Sequence, residues 1–470
     1  MNAKTRWVIA LTGVGSLMAA LDALVVSTAL ITIREDLGAS LEQLEWTVNA
    51  YNLSFAVLLI TGAALGDRHG RRAMYAAGLV LFSLASAACA LAPDAGWLIA
   101  GRALQGAGAA LLMPLGLALL SAAFPPEKRG AAIGMFSAIT GIAVASGPLV
   151  GGAIVEGISW EWIFWVNVPI GLIAAPLVLH KLKESFGGDT GIDFVGMVLA
   201  TAGALGLVWA LVRGNRVGWG SAEIIATLGA GVLVSLAFVA WELRTREPML
   251  PLRFFRSRAF SAGNAAIFCT FGSLFACVFF FPQLLQTALG NDALETGLRL
   301  MPWTATFITV APIAGAIADK IGERPLMVTG LLLQAGGALW LAVIAAPDMT
   351  YSQAIAPFIV AGVGISMAIP AAQNSVVGAM SVQDLGKAAG ANSMMRELGG
   401  VFGIAVAVAL FAGAGGYASA QVFVDGFAPA IYAAAGLAVV GAACGALLPG
   451  RGEQDQADIV AVPAFNLEGN

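Results

Sequence analysis

Four charged side chains fall inside long apolar runs of the chain: Asp22, Arg102, Arg396 and Glu397. Each is costly there, because an ionised group in a hydrocarbon-like setting must face the protein interior and find a partner. The chemistry open to such groups is proton exchange. Burial favours the neutral form of a carboxyl group and a nearby cation favours the charged form. A carboxylate held beside an arginine can therefore be tuned to take up and release a proton. Asp22 and Glu397 are the carboxylates expected well inside a span. Glu397 directly follows Arg396, and successive residues do not share a helix face, so the two are expected to neutralise each other poorly. Two readings of that pair stay open: a second proton or cation site, or a neighbouring pair in which only Arg396 has a structural role.

The elements that hold these groups follow from composition. Of 470 residues, 59% are apolar and only 11% charged, against about 25% charged in ordinary soluble domains. This composition fits a polytopic membrane protein. A spanning helix needs about 20 apolar residues, which places spans at about 7–31, 47–66, 74–92, 97–121, 131–155, 162–180 and 194–213. Further spans fall at about 222–241, 259–286, 297–318, 326–346, 351–378, 388–412 and 428–448, fourteen in all. The first has no small-residue cleavage pattern and reads as a retained helix. Cys89, Cys269, Cys277 and Cys444 all lie in apolar runs and read as small buried hydrophobes, with no disulfide or metal set among them. The tail from Arg451 is polar and is expected to be disordered.

Orientation follows from Lys and Arg. With a cytoplasmic N-terminus, eighteen of the 24 basic residues fall in inside loops and four, Arg34, Arg213, Arg216 and Arg299, in outside loops. Both termini are expected on the cytoplasmic side. An internal repeat organises the spans. Asp67, Gly70 and Arg72 recur as Asp319, Gly322 and Arg324 at an offset of 252. Gly106, Gly108 and Pro114 recur as Gly362, Gly364 and Pro370, and Gly130, Gly134, Ser137 and Gly147 as Gly386, Gly390, Ser393 and Gly403, at an offset of 256. A repeat of this length reads as two related halves. The expected fold class is an all-α integral membrane protein of two pseudo-symmetric six-helix bundles plus an inserted helix pair. The expected divisions are 1–185, an inserted pair and linker at 186–258, a second bundle at 259–450, and the tail 451–470.

The motifs within this frame resemble the major facilitator superfamily, and within it the fourteen-span drug:proton antiporters. Ala63-Ala64-Leu65-Gly66-Asp67-Arg68-His69-Gly70-Arg71-Arg72 is similar to the family's loop motif, with Ala63 in place of its first glycine. The resemblance implies a gate in which Asp67, Arg68, Gly70, Arg71 and Arg72, with Asp319 and Arg324 of the repeat, hold the halves together on the cytoplasmic side. Physically, Asp67 at a helix end can take arginines or a facing helix N-terminus, and Gly70 permits a tight turn. Leu98-Ile99-Ala100-Gly101-Arg102-Ala103-Leu104-Gln105-Gly106-Ala107-Gly108 resembles the motif whose arginine the family assigns to proton coupling; its repeat position is Phe358. Around Asp22, Leu24, Ser27 and Ile31 replace the family's Thr, Asn and Pro, so local hydrogen bonding is expected to differ. Ser146-Gly147-Pro148-Leu149-Val150-Gly151-Gly152 resembles the motif that marks exporters, in which Gly147, Pro148, Gly151 and Gly152 supply close packing and a kink. The run from Trp160 to Gly171 resembles a family signature and reads as structural, its aromatics suiting a membrane interface.

Phe271, Phe275 and Phe279 recur every four residues on the ninth span, followed by Gln283 and Gln286. By fold analogy these line a central cavity with Asn49, Asn52, Gln105, Gln373 and Asn374. Such a lining suits large lipophilic compounds, cations among them; a lipid-facing Phe stripe is the alternative. No Walker-type phosphate loop and no His/Cys metal spacing occurs, so neither an ATP-driven pump nor an enzyme is expected. No cofactor, metal or nucleic acid is expected; the partners are the lipid bilayer, protons and a lipophilic small molecule, and the chain is expected to be monomeric. The reading is a proton-coupled antiporter of the cell (inner) membrane that exports lipophilic drugs by alternating access. The alternatives are a proton symporter for uptake of a small metabolite and a transport-inactive sensor or scaffold of the same fold.

Overall fold

The computed structural model describes residues 3–124, 139, 143, 146–187, 193–377 and 385–449. Side chains of residues 3–5, 316, 319, 320, 377 and 385–387 lie outside the description, as do most of the expected fifth span and the tail from Arg451. The helices are α1 (Ala3–Leu37), α2 (Leu41–His69), α3 (Arg71–Ala90), α4 (Ala95–Ala123), α5 (146–157) and α6 (Trp162–Lys181). They continue as α7 (Phe194–Val217), α8 (Ala222–Glu242), α9 (Arg258–Ala288), α10 (Thr306–Ile321), α11 (Glu323–Ile344), α12 (Tyr351–Val377), α13 (Leu385–Ala414) and α14 (Ala420–Ala446).

Among the described residues, twelve helices are long and apolar enough to cross a membrane. The expectation of fourteen differs at two places. Span five, placed at 131–155, lies largely outside the described residues. Span ten, placed at 297–318, is broken into the short helices Ala293–Arg299 and Met301–Thr304 and then α10. Pro302 sits at the start of the middle piece, and a proline cannot donate to the preceding turn.

Local sequence sets the boundaries. Ser40 caps α2 through a capping box with Gln43, which starts the helix six residues before the expected 47 and puts Glu45 inside it. Asp94 caps α4 through the Trp97 N–H. The turns from α2 to α3 and from α10 to α11 are made at Gly70 (φ 102°) and Gly322 (φ 84°), where a side chain would be strained. The repeated glycines thus occupy repeated turns.

Helices α1 to α4 and α6 pack on one another, as do α9 and α11 to α14, while α7 and α8 pair with each other and α7 rests against α2 and α13. A separate apolar cluster of Leu11, Met18, Tyr51, Phe82, Leu112 and Val178 fills the first group. The main cluster joins Leu24 to Ile33 of α1 with the Phe-rich face of α9 and with α11 to α14. The last turn of α1, before Gly38, meets neighbouring loops: Arg34 lies over the Tyr417 ring at 4.2 Å and Trp160 Nε1 donates to Asp36 at 2.9 Å.

Candidate functional site

The charge on α4 is almost fully enclosed. Arg102 is 1% exposed and Asp22, on α1, is 3% exposed. Arg102 Nη1 donates to Asp22 Oδ2 and to Gln105 Oε1 at 2.6 Å. Gln105 lies one turn further along α4, so the one nitrogen Nη1 reaches both. Gln105 Nε2 closes the ring by donating to Asp22 Oδ1 at 2.7 Å and to Ser86 Oγ at 2.7 Å. Asn167, near the start of α6, donates to the same Oδ1 at 3.3 Å, and Arg102 Nε donates to the Thr47 carbonyl at 3.1 Å. The Tyr51 ring lies 4.3 Å from the guanidinium carbon, with its hydroxyl on the Ala19 carbonyl at 3.0 Å. Every helix of this group therefore contributes, which is what a charge pair without water requires. An Asp22 proton would release Arg102 from its carboxylate while Gln105 and Thr47 still hold the guanidinium.

This geometry moves Gln105 from the expected substrate lining into the charge network, since its amide is fully engaged. It also adds Asn167, Ser86, Thr47 and Tyr51. The sequence held a signal for Asn167, an amide inside the aromatic run after Trp160, but that run reads as structural without the fold.

The second pair corrects an expectation. Arg396 Nε contacts Glu397 Oε1 at 2.8 Å, although the residues are adjacent. The Cβ atoms diverge, but the long Arg stem folds back on its neighbour. Glu397 is 5% exposed, and the Arg396 guanidinium lies 5.6 Å from the Phe271 ring. Phe271 and Phe275 stand 6.3 Å apart and tilted, so one of the three expected aromatics borders this pair and a second packs on that ring. Phe279 and Gln283 are enclosed elsewhere. Phe279 packs edge-on against Phe280 at 5.0 Å; Gln283 donates to the Phe279 carbonyl at 2.5 Å and accepts from the Tyr417 hydroxyl. Both are consumed by internal contacts, so they do not line open space. Gln373 is half-buried and Asn374 exposed on α12, whereas Asn49 and Asn52 are buried on α2.

At the Gly70 turn, Arg71 Nε binds Asp67 Oδ1 at 2.7 Å. Arg72 N–H donates to Glu184 Oε1 at 2.8 Å, and Gly187 N–H donates to the Asp67 carbonyl at 3.1 Å. Arg68 and Arg324 are exposed; the Asp319 side chain lies outside the described residues. Among the described residues the loop thus clamps the segment after α6, and the expected grip between the two helix groups is not made by these side chains.

The small residues of α5 do reach across. A Cβ on Gly152 would meet the Ala293 carbonyl oxygen at 2.1 Å, and one on Gly297 would meet that of Pro148 at 2.5 Å. Gly147 and Gly151 face Leu24 and Thr28 of α1 at 2.8 and 2.5 Å in the same sense. Gln286 Nε2 of α9 donates to the Thr28 carbonyl at 2.9 Å. Helix α1 therefore carries Asp22 on one side and, six residues on, a main-chain bond across the seam.

Among sequence relatives, the chain is 34% identical over 401 residues to a tetracenomycin C resistance and export protein of Streptomyces glaucescens, covering 85% of this chain and 74% of that one. It is 32% identical over 389 residues to a multidrug transporter protein of Bacillus subtilis (strain 168), with 82% and 71% covered. A methylenomycin A resistance protein of Streptomyces coelicolor is 33% identical over 83% of this chain and 82% of its own. The fold resembles that of a D-xylose-proton symporter (TM-score 0.68, 16% identity, 95% and 98% covered). It also resembles a bacterial homologue of the human lysosomal transporter Spinster in an inward-facing, unoccupied conformation (TM-score 0.66, 16% identity, 95% and 97% covered). These two likenesses concern the fold alone. The profile of the Major Facilitator Superfamily matches residues 12–404 and 263–464, and the chain belongs to that superfamily.

Proposed function

We propose that this chain is a proton-coupled exporter of lipophilic compounds, working by alternating access of two helix bundles joined by the inserted pair α7–α8. The observation that carries it is the buried Asp22–Arg102 pair, held by Gln105 and Asn167, on a helix whose far part bonds across the seam at Thr28. Protonation of Asp22 loosens its bond to Arg102, α1 shifts, and the packing of Gly147 and Gly151 on α1 transmits the shift to the seam. Glu397 is the second candidate for the coupling proton. The bundles are the segments 1–185 and 259–450, and the chain makes fourteen spans if the fifth and tenth segments also cross. In this reading the protein sits in the cell membrane with both termini in the cytoplasm, an orientation that the bias of Lys and Arg supports. It acts as a monomer, needs no cofactor, and draws on the proton gradient alone.

The sequence relatives favour export over uptake: their names speak of tetracenomycin C export, multidrug transport and methylenomycin A resistance. The test is extrusion of a lipophilic dye from energised cells with and without a protonophore. Export that stops when the gradient is collapsed supports the reading. Export indifferent to the protonophore, or accumulation in place of extrusion, overturns it.

A further inference from the structure

Helix α2 carries Glu45, Asn49 and Asn52 on one stripe, at the spacing that stacks side chains on a helix. Glu45 and Asn49 are fully enclosed and Asn52 is 1% exposed. Asn49 Nδ2 donates to Glu45 Oε1 at 3.3 Å. Glu45 Oε2, Asn49 Oδ1 and Asn52 Nδ2 have no hydrogen-bond partner among the described residues.

The stripe lies at the seam. Leu44 and Val48 on one flank join the cluster of α1 and α9, while Trp46, Leu53 and Val57 on the other pack with α7 and α13. The charged groups on these helices are engaged elsewhere. Asp22 and Arg102 hold each other, Arg396 holds Glu397, and Arg213 and Arg216 hold Glu42. Arg34 lies over Tyr417, Asp36 accepts from Trp160, and Glu35 is exposed. At the Gly70 end, Asp67 and Glu184 take Arg71 and Arg72. Glu45 is left without a cation among the described residues.

An enclosed carboxylate in that position is stable only when a proton removes its charge or a positive ligand matches it. Two open acceptor oxygens one turn apart suit a cation that carries N–H donors, and Asn52 Nδ2 offers a donor to a neighbouring carbonyl or hydroxyl. We propose that Glu45, Asn49 and Asn52 form a site on α2 that binds the ammonium group of cationic substrates, with Glu45 holding a proton when that group is absent. The inference rests on the export reading above. As the ammonium enters, the carboxylic O–H proton leaves to water and no substrate bond changes. Proton and amine thus exclude each other at one carboxylate, independently of Asp22.

The probes are a lipophilic aromatic primary amine, charged at neutral pH, and its neutral N-acetyl derivative, bound to the purified full-length protein in weak buffer. Glu45→Gln is expected to weaken amine binding by about 10-fold or more and to remove proton release on amine binding, while acetamide binding stays within about twofold. Glu45→Asp, which keeps the charge, is expected to fall between and covers the case in which Glu45→Gln does not fold. Equal binding of the amine by wild type and Glu45→Gln, or equal loss of both ligands, overturns the site. Vesicle transport separates the two readings. Selective loss of amine binding with no export by wild type keeps the site and defeats the export reading. Export of both probes, unchanged in Glu45→Gln, defeats the site and keeps export.

Discussion

Gln286 on α9 donates its amide N–H to the main-chain carbonyl of Thr28 on α1, 2.9 Å away. The bond ties the helix that carries Asp22 to the helix that carries the Phe face, and it sits at the Gly38 end of the bundle. Because the acceptor is a backbone atom, a Thr28→Cys reporter leaves it in place. Replacing Gln286 with Leu removes the bond and opens the seam there. Labelling of the reporter by a polar thiol reagent is expected to speed up about 5-fold, the scale of one hydrogen bond worth roughly 1 kcal/mol. An unchanged rate would mean that the bond does not hold the seam.

The packing of α5 makes a second, sharper prediction. Gly152 approaches the Ala293 carbonyl so closely that a Cβ there would stand 2.1 Å from its oxygen, and backbone cannot yield as a flexible side chain does. Gly152→Val is expected to lower transport by about 10-fold or more, since overpacking of this kind costs about 1–3 kcal/mol, while substrate binding persists. Gly157, with nothing within 4 Å of its Cβ position, provides the control, and Gly157→Ala is expected to transport normally.

How much of this was legible beforehand depends on what each residue needed. Arg102 and Asp22 stood out because a charge in an apolar run has few explanations, and the fold brings them together. Gly70 and Gly322 stood out because they repeat, and both are turns with positive φ. Glu45 did not, because the apolar run starts after it and only the Ser40 capping box extends α2 back to enclose it. The roles of Gln105 and Asn167 arise from contacts between α1, α4 and α6, which no spacing along the chain encodes. The Arg396–Glu397 contact ran against a rule about Cβ directions that a long side chain evades. Gln283 resembled a cavity residue until its partners, Phe279 and Tyr417, were placed.

The buried pair carries a stability prediction. Removing one partner leaves an uncompensated charge, so Arg102→Gln alone is expected to destabilise by about 3–5 kcal/mol. The double change Asp22→Asn with Arg102→Gln is expected to cost less than that single change, because no charge is stranded. Arg102→Lys is expected to fold but to lose transport, because a lysine keeps the charge without the planar group whose Nη1 holds Asp22 and Gln105 while Nε holds the Thr47 carbonyl. Thermal unfolding in detergent and transport assays on the same preparations separate these outcomes. A double variant less stable than Arg102→Gln would contradict the account of the pair.

Gly70 and Gly218 give a matched test of the loop at the α2–α3 turn. Both have positive φ, 102° and 97°. A Cβ on Gly70 would meet the Glu184 carboxyl carbon at 2.8 Å, whereas Gly218 has open space. Gly218→Ala is expected to cost only the backbone strain, about 1 kcal/mol, and Gly70→Ala that strain plus the displaced Glu184–Arg72 contact. Equal losses in unfolding temperature would show that Glu184 adds nothing to the turn.

The central claim is that Asp22 couples a proton to substrate movement. In proteoliposomes, wild type and Asp22→Asn are compared in two modes: substrate transport driven by an imposed pH gradient, and exchange of labelled for unlabelled substrate with no gradient. The account predicts that, for a neutral substrate, Asp22→Asn loses gradient-driven transport and keeps exchange, because the site and the rocking of the bundles survive while the Asp22 proton has no seat. Gradient-driven transport at the wild-type rate in Asp22→Asn would contradict it.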